Sequence, residues 1–190
     1  MPRCDLEQTS LVTENVNLFV HHTFIYPYTE RNLRKSVVVN ERLRDVWRFW
    51  TTSKGAETFF GPKARILFDI GGEYEILFDP DALPGSRGAA DLKILSYVPQ
   101  EMLSFEWRAP PEFSESRKEK SRVVVQLDEF GRKKVRVTLS HLGWKEGGDW
   151  NAAYKYFDRA WDLVLARLMC SFLQGPLDWR DPYRPRKQRT

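Results

Sequence analysis

The chain has 190 residues (22.4 kDa), 42% of them hydrophobic and 29% charged, with a formal net charge of +4. A domain of this length buries roughly 70% of its unfolded surface, so it needs no covalent or metal staple. Cys4 and Cys170 stand at opposite ends, which excludes a zinc ribbon, a redox pair and a disulfide framework, and no apolar run approaches the ~20 residues of a membrane span. The positive charge belongs to residues 180–190, where Arg180, Arg184, Arg186, Lys187 and Arg189 face Asp181 alone. The remaining body is balanced and offers no basic face to nucleic acid.

Residues 1–15 mix Asp5, Glu7 and Glu14 with Thr and Ser and carry no basic stretch followed by a long apolar one, which argues against a secretory signal and for a cytoplasmic protein. The run Val16–Tyr26 is apolar enough to pack, and reads as an extension docking on the domain or on a second subunit. The sequence does not decide the oligomeric state. His21-His22 has no third ligand nearby, so no metal is expected there. Arg34–Val39 has strand composition. Asn40 is placed to cap a helix whose Leu43, Val46, Trp47 and Trp50 recur at helical spacing. Thr51-Thr52-Ser53 ends it, and Ser53 is placed to cap a short second helix reaching Phe60 before Gly61-Pro62.

The middle of the chain reads as antiparallel hairpins. With a loop at Ile70-Gly71-Gly72, Phe68 faces Tyr74 and Ile66 faces Ile76. With a turn at Pro99-Gln100, Ile94 pairs with Phe105 and Leu92 with Trp107. With a loop at Phe130-Gly131-Arg132, Val125 pairs with Val137 and Val123 with Leu139. Each register puts apolar partners on one face and sends Glu73, Glu75 and Glu106 to the other. Three hairpins in agreement predict one curved antiparallel sheet. Between the second and third, Ala109–Ser121 holds Pro110-Pro111 and a balanced run of charges with Phe113 as its one apolar anchor. It reads as a solvated loop or as a mobile flap.

Trp150, Ala153, Tyr154, Phe157, Trp161, Val164, Leu165, Leu168, Met169 and Phe172 then recur at three- and four-residue steps, with Asp149 before them and Gly175-Pro176 after. A helix of about 25 residues is on the order of 37 Å long, against about 30 Å for a nine-residue strand. It can therefore cross the concave face of the sheet. The expected class is α+β: a bent antiparallel sheet in the order β-α-α-β-β-β-β-β-β-α wrapped around a long C-terminal helix. Residues 33–175 form the domain, residues 1–32 an extension, and residues 176–190 a basic, flexible tail.

Several stretches together resemble a known family: Val46-Trp47-Arg48-Phe49-Trp50-Thr51-Thr52 with Gly55, Gly71-Gly72-Glu73-Tyr74, and Pro99 ahead of Leu103-Ser104-Phe105-Glu106-Trp107. Thr138-Leu139-Ser140-His141-Leu142-Gly143-Trp144 follows, ahead of Trp150 and Trp161. Over residues 34–173 the chain resembles the activator of heat-shock-protein-90 ATPase homologues (C-terminal-domain type), within the START/SRPBCC or birch-pollen-allergen-like superfamily. The resemblance implies the helix-grip fold, with an apolar cavity between sheet and helix.

A bent sheet cannot follow a straight helix along its whole length, so bulky side chains either fill the gap or line it. The inward candidates are Trp50, Phe60, Phe68, Tyr74, Ile76, Phe105, Trp107, Val125, Leu139, His141, Phe157 and Trp161. Tyr74, Trp107 and His141 can supply polar fixtures. His141 reads either as a proton-transfer group or as a buried histidine bonded to a backbone carbonyl, and no inward carboxylate stands by to make it catalytic. Recognised nucleophile, metal and phosphate motifs are missing, so no catalytic residue and no cofactor is expected. The favoured function is noncatalytic binding of a small hydrophobic or aromatic ligand, as a carrier or sensor. The alternatives are a module contacting a chaperone, and a cyclase, dehydratase or hydrolase using the same cavity.

Overall fold

The structure is a computed structural model, and it describes residues 31–181. The apolar run near the N-terminus, the His21-His22 pair, Cys4 and the last nine residues of the basic tail lie outside the described residues. Strand β1 (Leu33–Val39) leads into helix α1 (Leu43–Thr51) and the single turn α2 (Ser53–Ala56). Strands β2 (Lys63–Ile66), β3 (Tyr74–Leu77), β4 (Gly88–Ala89), β5 (Ile94–Val98), β6 (Met102–Trp107), β7 (Ser121–Glu129) and β8 (Val135–Leu142) follow, and α3 (Trp150–Gln174) closes the fold. Seven strands thus stand between the short helices and the long one, where six were expected. The extra strand is the two-residue β4, too short to leave an alternating pattern.

Five strands form one sheet in the order β1-β8-β7-β6-β5, and β2-β3-β4 form a second. Tyr74 N donates to Leu92 O (2.8 Å) and Ile94 N to Gly72 O (2.9 Å), and Glu73 bridges to Lys93, so the second sheet continues the first around a bend.

Two of the three expected registers are displaced by two residues. Ile66, not Phe68, pairs with Tyr74, and Ala64 pairs with Ile76. Val125 pairs with Leu139 and Val123 with His141. In both hairpins the loop is longer than expected because its own polar groups hold it. Asp69 accepts from Gly72 N through its carbonyl and from Ile70 N through its carboxylate, and Lys134 N donates to Gly131 O. A shift of two leaves every side chain on its expected face, since the side-chain period is two. In the middle hairpin Ile94 does pair with Phe105, but through a three-residue loop offset by a bulge between Ile94 and Ser96.

The capping assignments also change. Arg42, not Asn40, precedes α1, with Asp45 in its first turn. Thr52, not Ser53, caps α2 by accepting from Gly55 N. Ser53 Oγ instead accepts from Ile66 N (2.9 Å) and ties α2 to β2. Helix α3 lays Trp150, Ala153, Phe157, Trp161, Val164, Leu165 and Leu168 against the sheet, and Lys35 of β1 clamps its outer side through Asp158 (2.7 Å) and Asp162 (2.9 Å).

The segment between β6 and β7, expected as a solvated loop or a mobile flap, makes specific contacts with the start of α3. It contains a single 3₁₀ turn, Ser116–Lys118, held at the start of α3 by the Asp149 carboxylate, which accepts from Glu115 N (2.9 Å) and Ser116 N (2.8 Å). Phe113 packs on Tyr156, and Lys145 pairs with Glu119. Beyond α3, Leu177 N donates to Thr58 O and Trp179 Nε1 to Glu57 O, so the chain returns over the end of α2. Among the described residues no helix is long and apolar enough to cross a membrane.

The Gly71-Gly72 pair separates two effects in one loop. A Cβ on Gly72 would lie 2.1 Å from Leu67 O, whereas one on Gly71 would meet nothing but would sit at φ +78°. Chemical denaturation should therefore show Gly71→Ala costing about 1 kcal/mol of left-handed backbone strain, and Gly72→Ala costing about 3 kcal/mol by overpacking. Equal costs would show that the loop gives way.

Candidate functional site

Where the sheet bends away from α3 a cavity of about 360 Å³ remains. Its deep wall is aromatic: Phe60 before β2, Trp107 at the end of β6, and Phe157 and Trp161 on α3. Phe60 stacks on Trp107 with centroids 5.3 Å apart, and Trp107 meets Trp161 at 5.3 Å. Exposed Phe78 and Leu163 stand at its rim. The side wall is β4, where Gly88 lies at φ +140°. A Cβ there would come within 2.5 Å of Ile76 O, so only glycine lets β4 approach β3 this closely.

Behind the wall runs a buried polar chain. Trp161 Nε1 lies 3.0 Å from His141 Nδ1, His141 Nε2 lies 2.7 Å from Ser121 Oγ, and Ser121 Oγ lies 3.2 Å from Trp107 O. An indole N–H can only donate, so His141 Nδ1 accepts and the proton of the neutral ring is on Nε2. His141 then donates to the Ser121 hydroxyl, which donates to the Trp107 carbonyl. Every link is used, and the chain joins α3, β8, β7 and β6. Burial pushes the His141 imidazole down to about 3. The expected carbonyl acceptor for its ring is thus replaced by a serine hydroxyl, with an indole on the other nitrogen.

Of the sequence candidates, Phe60, Trp107, Phe157 and Trp161 line the cavity. Trp50, Tyr74, Ile76, Phe105, Val125, Leu139 and His141 are buried in the core and do not line it. The Tyr74 hydroxyl, its pKa driven up by burial, donates to Trp50 O (3.1 Å) while its ring stacks on Phe105 at 4.0 Å. Phe68 is half-buried on another part of the molecule, between Trp47 and Tyr97. Glu73, Glu75 and Glu106 face outward, paired with Arg65 and Lys120.

Ala160 and Val164, absent from the sequence candidates for the cavity, line it three and seven residues after Phe157 on one face of α3. Helical periodicity places Val164 on the inward face, and Ala160 beside it carries no apolar bulk to mark it. Arg108 and Arg117 also line it, and no pattern marks them, because one follows a strand and the other sits in a balanced charge run. Arg117 donates to the carbonyls of Ala109 and Gly85. Burial and the neighbouring Arg108 charge hold its guanidinium below its ordinary pKa, with Glu112 opposing. Two buried donors, Trp107 Nε1 and Arg108 Nε, have no hydrogen-bond partner among the described residues.

Sheet, helix and side-opening cavity define an α+β protein of helix-grip type. The model of the family described as activator of Hsp90 ATPase homolog 1-like protein matches residues 42–170, and the chain belongs to that family. The fold is similar to that of protein MLL2253 from Mesorhizobium loti (TM-score 0.60, 17% identity, 75% of this chain and 96% of that one). It is also similar to the Aha1 dimer from Colwellia psychrerythraea (TM-score 0.58, 16% identity, 76% and 98%). A third likeness is to DynU16, a protein of the dynemicin biosynthetic locus (TM-score 0.60, 16% identity, 78% and 49%), of which this chain spans about half. At these identities the likeness shows the fold alone. No curated protein matches the sequence.

The polar chain makes a signed prediction. The unfolded histidine takes up a proton near pH 6.5 and the folded one only near 3, so stability is full above pH 6.5 and falls as pH drops through that interval, by about 1.4 kcal/mol per pH unit. Denaturation series from pH 7 to 4 should show this loss between pH 6.5 and 5, above the carboxylate range. His141→Gln, which keeps a donor for Ser121, should flatten it. The same slope in both proteins would show that His141 is not held neutral.

Proposed function

We propose that the cavity holds a small hydrophobic or aromatic ligand and that the chain is a noncatalytic carrier or sensor of it. The observation that carries this reading is the void of about 360 Å³ at the seam of sheet and helix, walled by Phe60, Trp107, Phe157 and Trp161. Its volume falls in the ~300–1,000 Å³ range of small-molecule pockets, which are mostly apolar with a few polar groups. Protein interiors are close-packed, so a gap of this size beside an aromatic wall is room for a ligand. The engagement of His141 with Trp161 and Ser121 supports a binding role over the cyclase, dehydratase or hydrolase alternative, because the ring has no free nitrogen to move a proton.

Native mass spectrometry of the chain purified from its own cells should reveal a co-purifying apolar compound. A neutral naphthalene dye such as 6-propionyl-2-(dimethylamino)naphthalene should bind with a blue-shifted emission and quench the tryptophans. Ala160→Phe, which fills the cavity from α3, should weaken dye binding by at least tenfold with little change in Tm. Equal binding by the filled variant would remove the cavity from the account.

Family membership favours one second reading, contact with a chaperone ATPase. Adding the chain to a purified Hsp90-class ATPase tests it. A rise in turnover supports that reading, and an unchanged rate at saturating chain dismisses it.

A further inference from the structure

The cavity has a charged end that an apolar ligand alone does not use. Arg108 and Arg117 both line it and both are partly buried. Asp79 is the acidic residue among those lining the cavity, and Glu112 is the carboxylate that acts on Arg117; both are exposed to solvent. Buried charge is retained where it meets a counter-charge or a hydrogen-bond acceptor. Arg117 has two backbone carbonyls as acceptors, which hold the group in place without neutralising it. Arg108 Nε is buried with no partner among the described residues, and the two cations are close enough that Arg108 lowers the proton affinity of Arg117. Next to them, Trp107 offers a second unpartnered donor from the aromatic wall. The site therefore has donors without acceptors at one end and aromatic surface at the other.

We propose that the ligand is an amphiphilic monoanion of the carboxylate class, its head received by Arg108 and Arg117 and its apolar body lying against Trp107, Phe157 and Trp161. A planar carboxylate matches the fork of a guanidinium and takes two parallel N–H donors from it. Arg117 has its two terminal nitrogens already engaged with carbonyls, which leaves Arg108, with its Nε unpartnered among the described residues, to receive a single anionic head beside a second positive charge. This inference rests on the cavity reading above and adds the chemistry of one end of the ligand.

The test is displacement of the neutral naphthalene dye from the full chain by decanoate, methyl decanoate and decanol, each below its aggregation concentration at pH 7.5. Decanoate should displace the dye at a tenfold or lower concentration than the ester or the alcohol, and 0.5 M NaCl should weaken decanoate alone. Arg108→Gln should bring the three compounds within threefold of one another while leaving the ester unchanged, and Arg108→Lys should restore part of the preference for the acid. Ester and alcohol binding as tightly as the acid to the unaltered chain would overturn the inference and leave the cavity reading standing. A parallel loss of all three compounds in Arg108→Gln would also overturn it, since Arg108 would then only shape the pocket. Binding of neither the dye nor any of the three would overturn both.

Discussion

Four groups in a line hold the helix against the sheet: the Trp161 indole, the His141 ring, the Ser121 hydroxyl and the Trp107 carbonyl. Each can satisfy its neighbour in one direction only, because the indole can donate but never accept. The direction passes along the chain and fixes the histidine tautomer. Such a network is worth more as a set than as separate bonds, since any missing member strands a buried polar group. It also sets the position of the two indoles that wall the cavity. Trp161 is held through its own N–H, and Trp107 through its backbone, with its N–H left over.

The cavity follows from a mismatch of shapes. The five-stranded sheet turns into the three-stranded one at the junction of β3 and β5, while α3 runs for 25 residues without a break. Near β1 and β8 the helix is in contact, clamped by Lys35 from one side and seated on His141 from the other. Past Trp161 the sheet has bent away, and β4, the Arg108–Arg117 region and Arg167 of α3 are among the parts that border the space. That region belongs to the segment anchored by Asp149, so the same residues that close the mouth also bring its positive charge.

The hairpin registers show which part of the fold is legible in advance. Alternation of apolar and polar residues along β2, β3, β7 and β8 sets which side chains face the core. A two-residue error in the loop leaves that assignment intact. Loop length depends on local hydrogen bonds, such as those of Asp69 and Lys134, which alternation does not encode. The capping residues behave alike. Asn40, Thr52 and Ser53 all suit a helix start, and the choice among them depends on which backbone amide comes within reach.

From its sequence alone the chain determines an antiparallel sheet, a long terminal helix, the inward faces of both and the family they belong to, because periodicity and composition are local properties. Tertiary structure alone decided which inward residues border empty space. Tyr74, Phe105, Leu139 and Trp161 have the same apolar signature, yet only Trp161 reaches the cavity, since that depends on where the sheet departs from the helix. Arg108 and Arg117 came to the mouth in the same way. Their positions depend on how the segment after β6 folds back toward α3, an arrangement set by contacts between residues far apart in the chain.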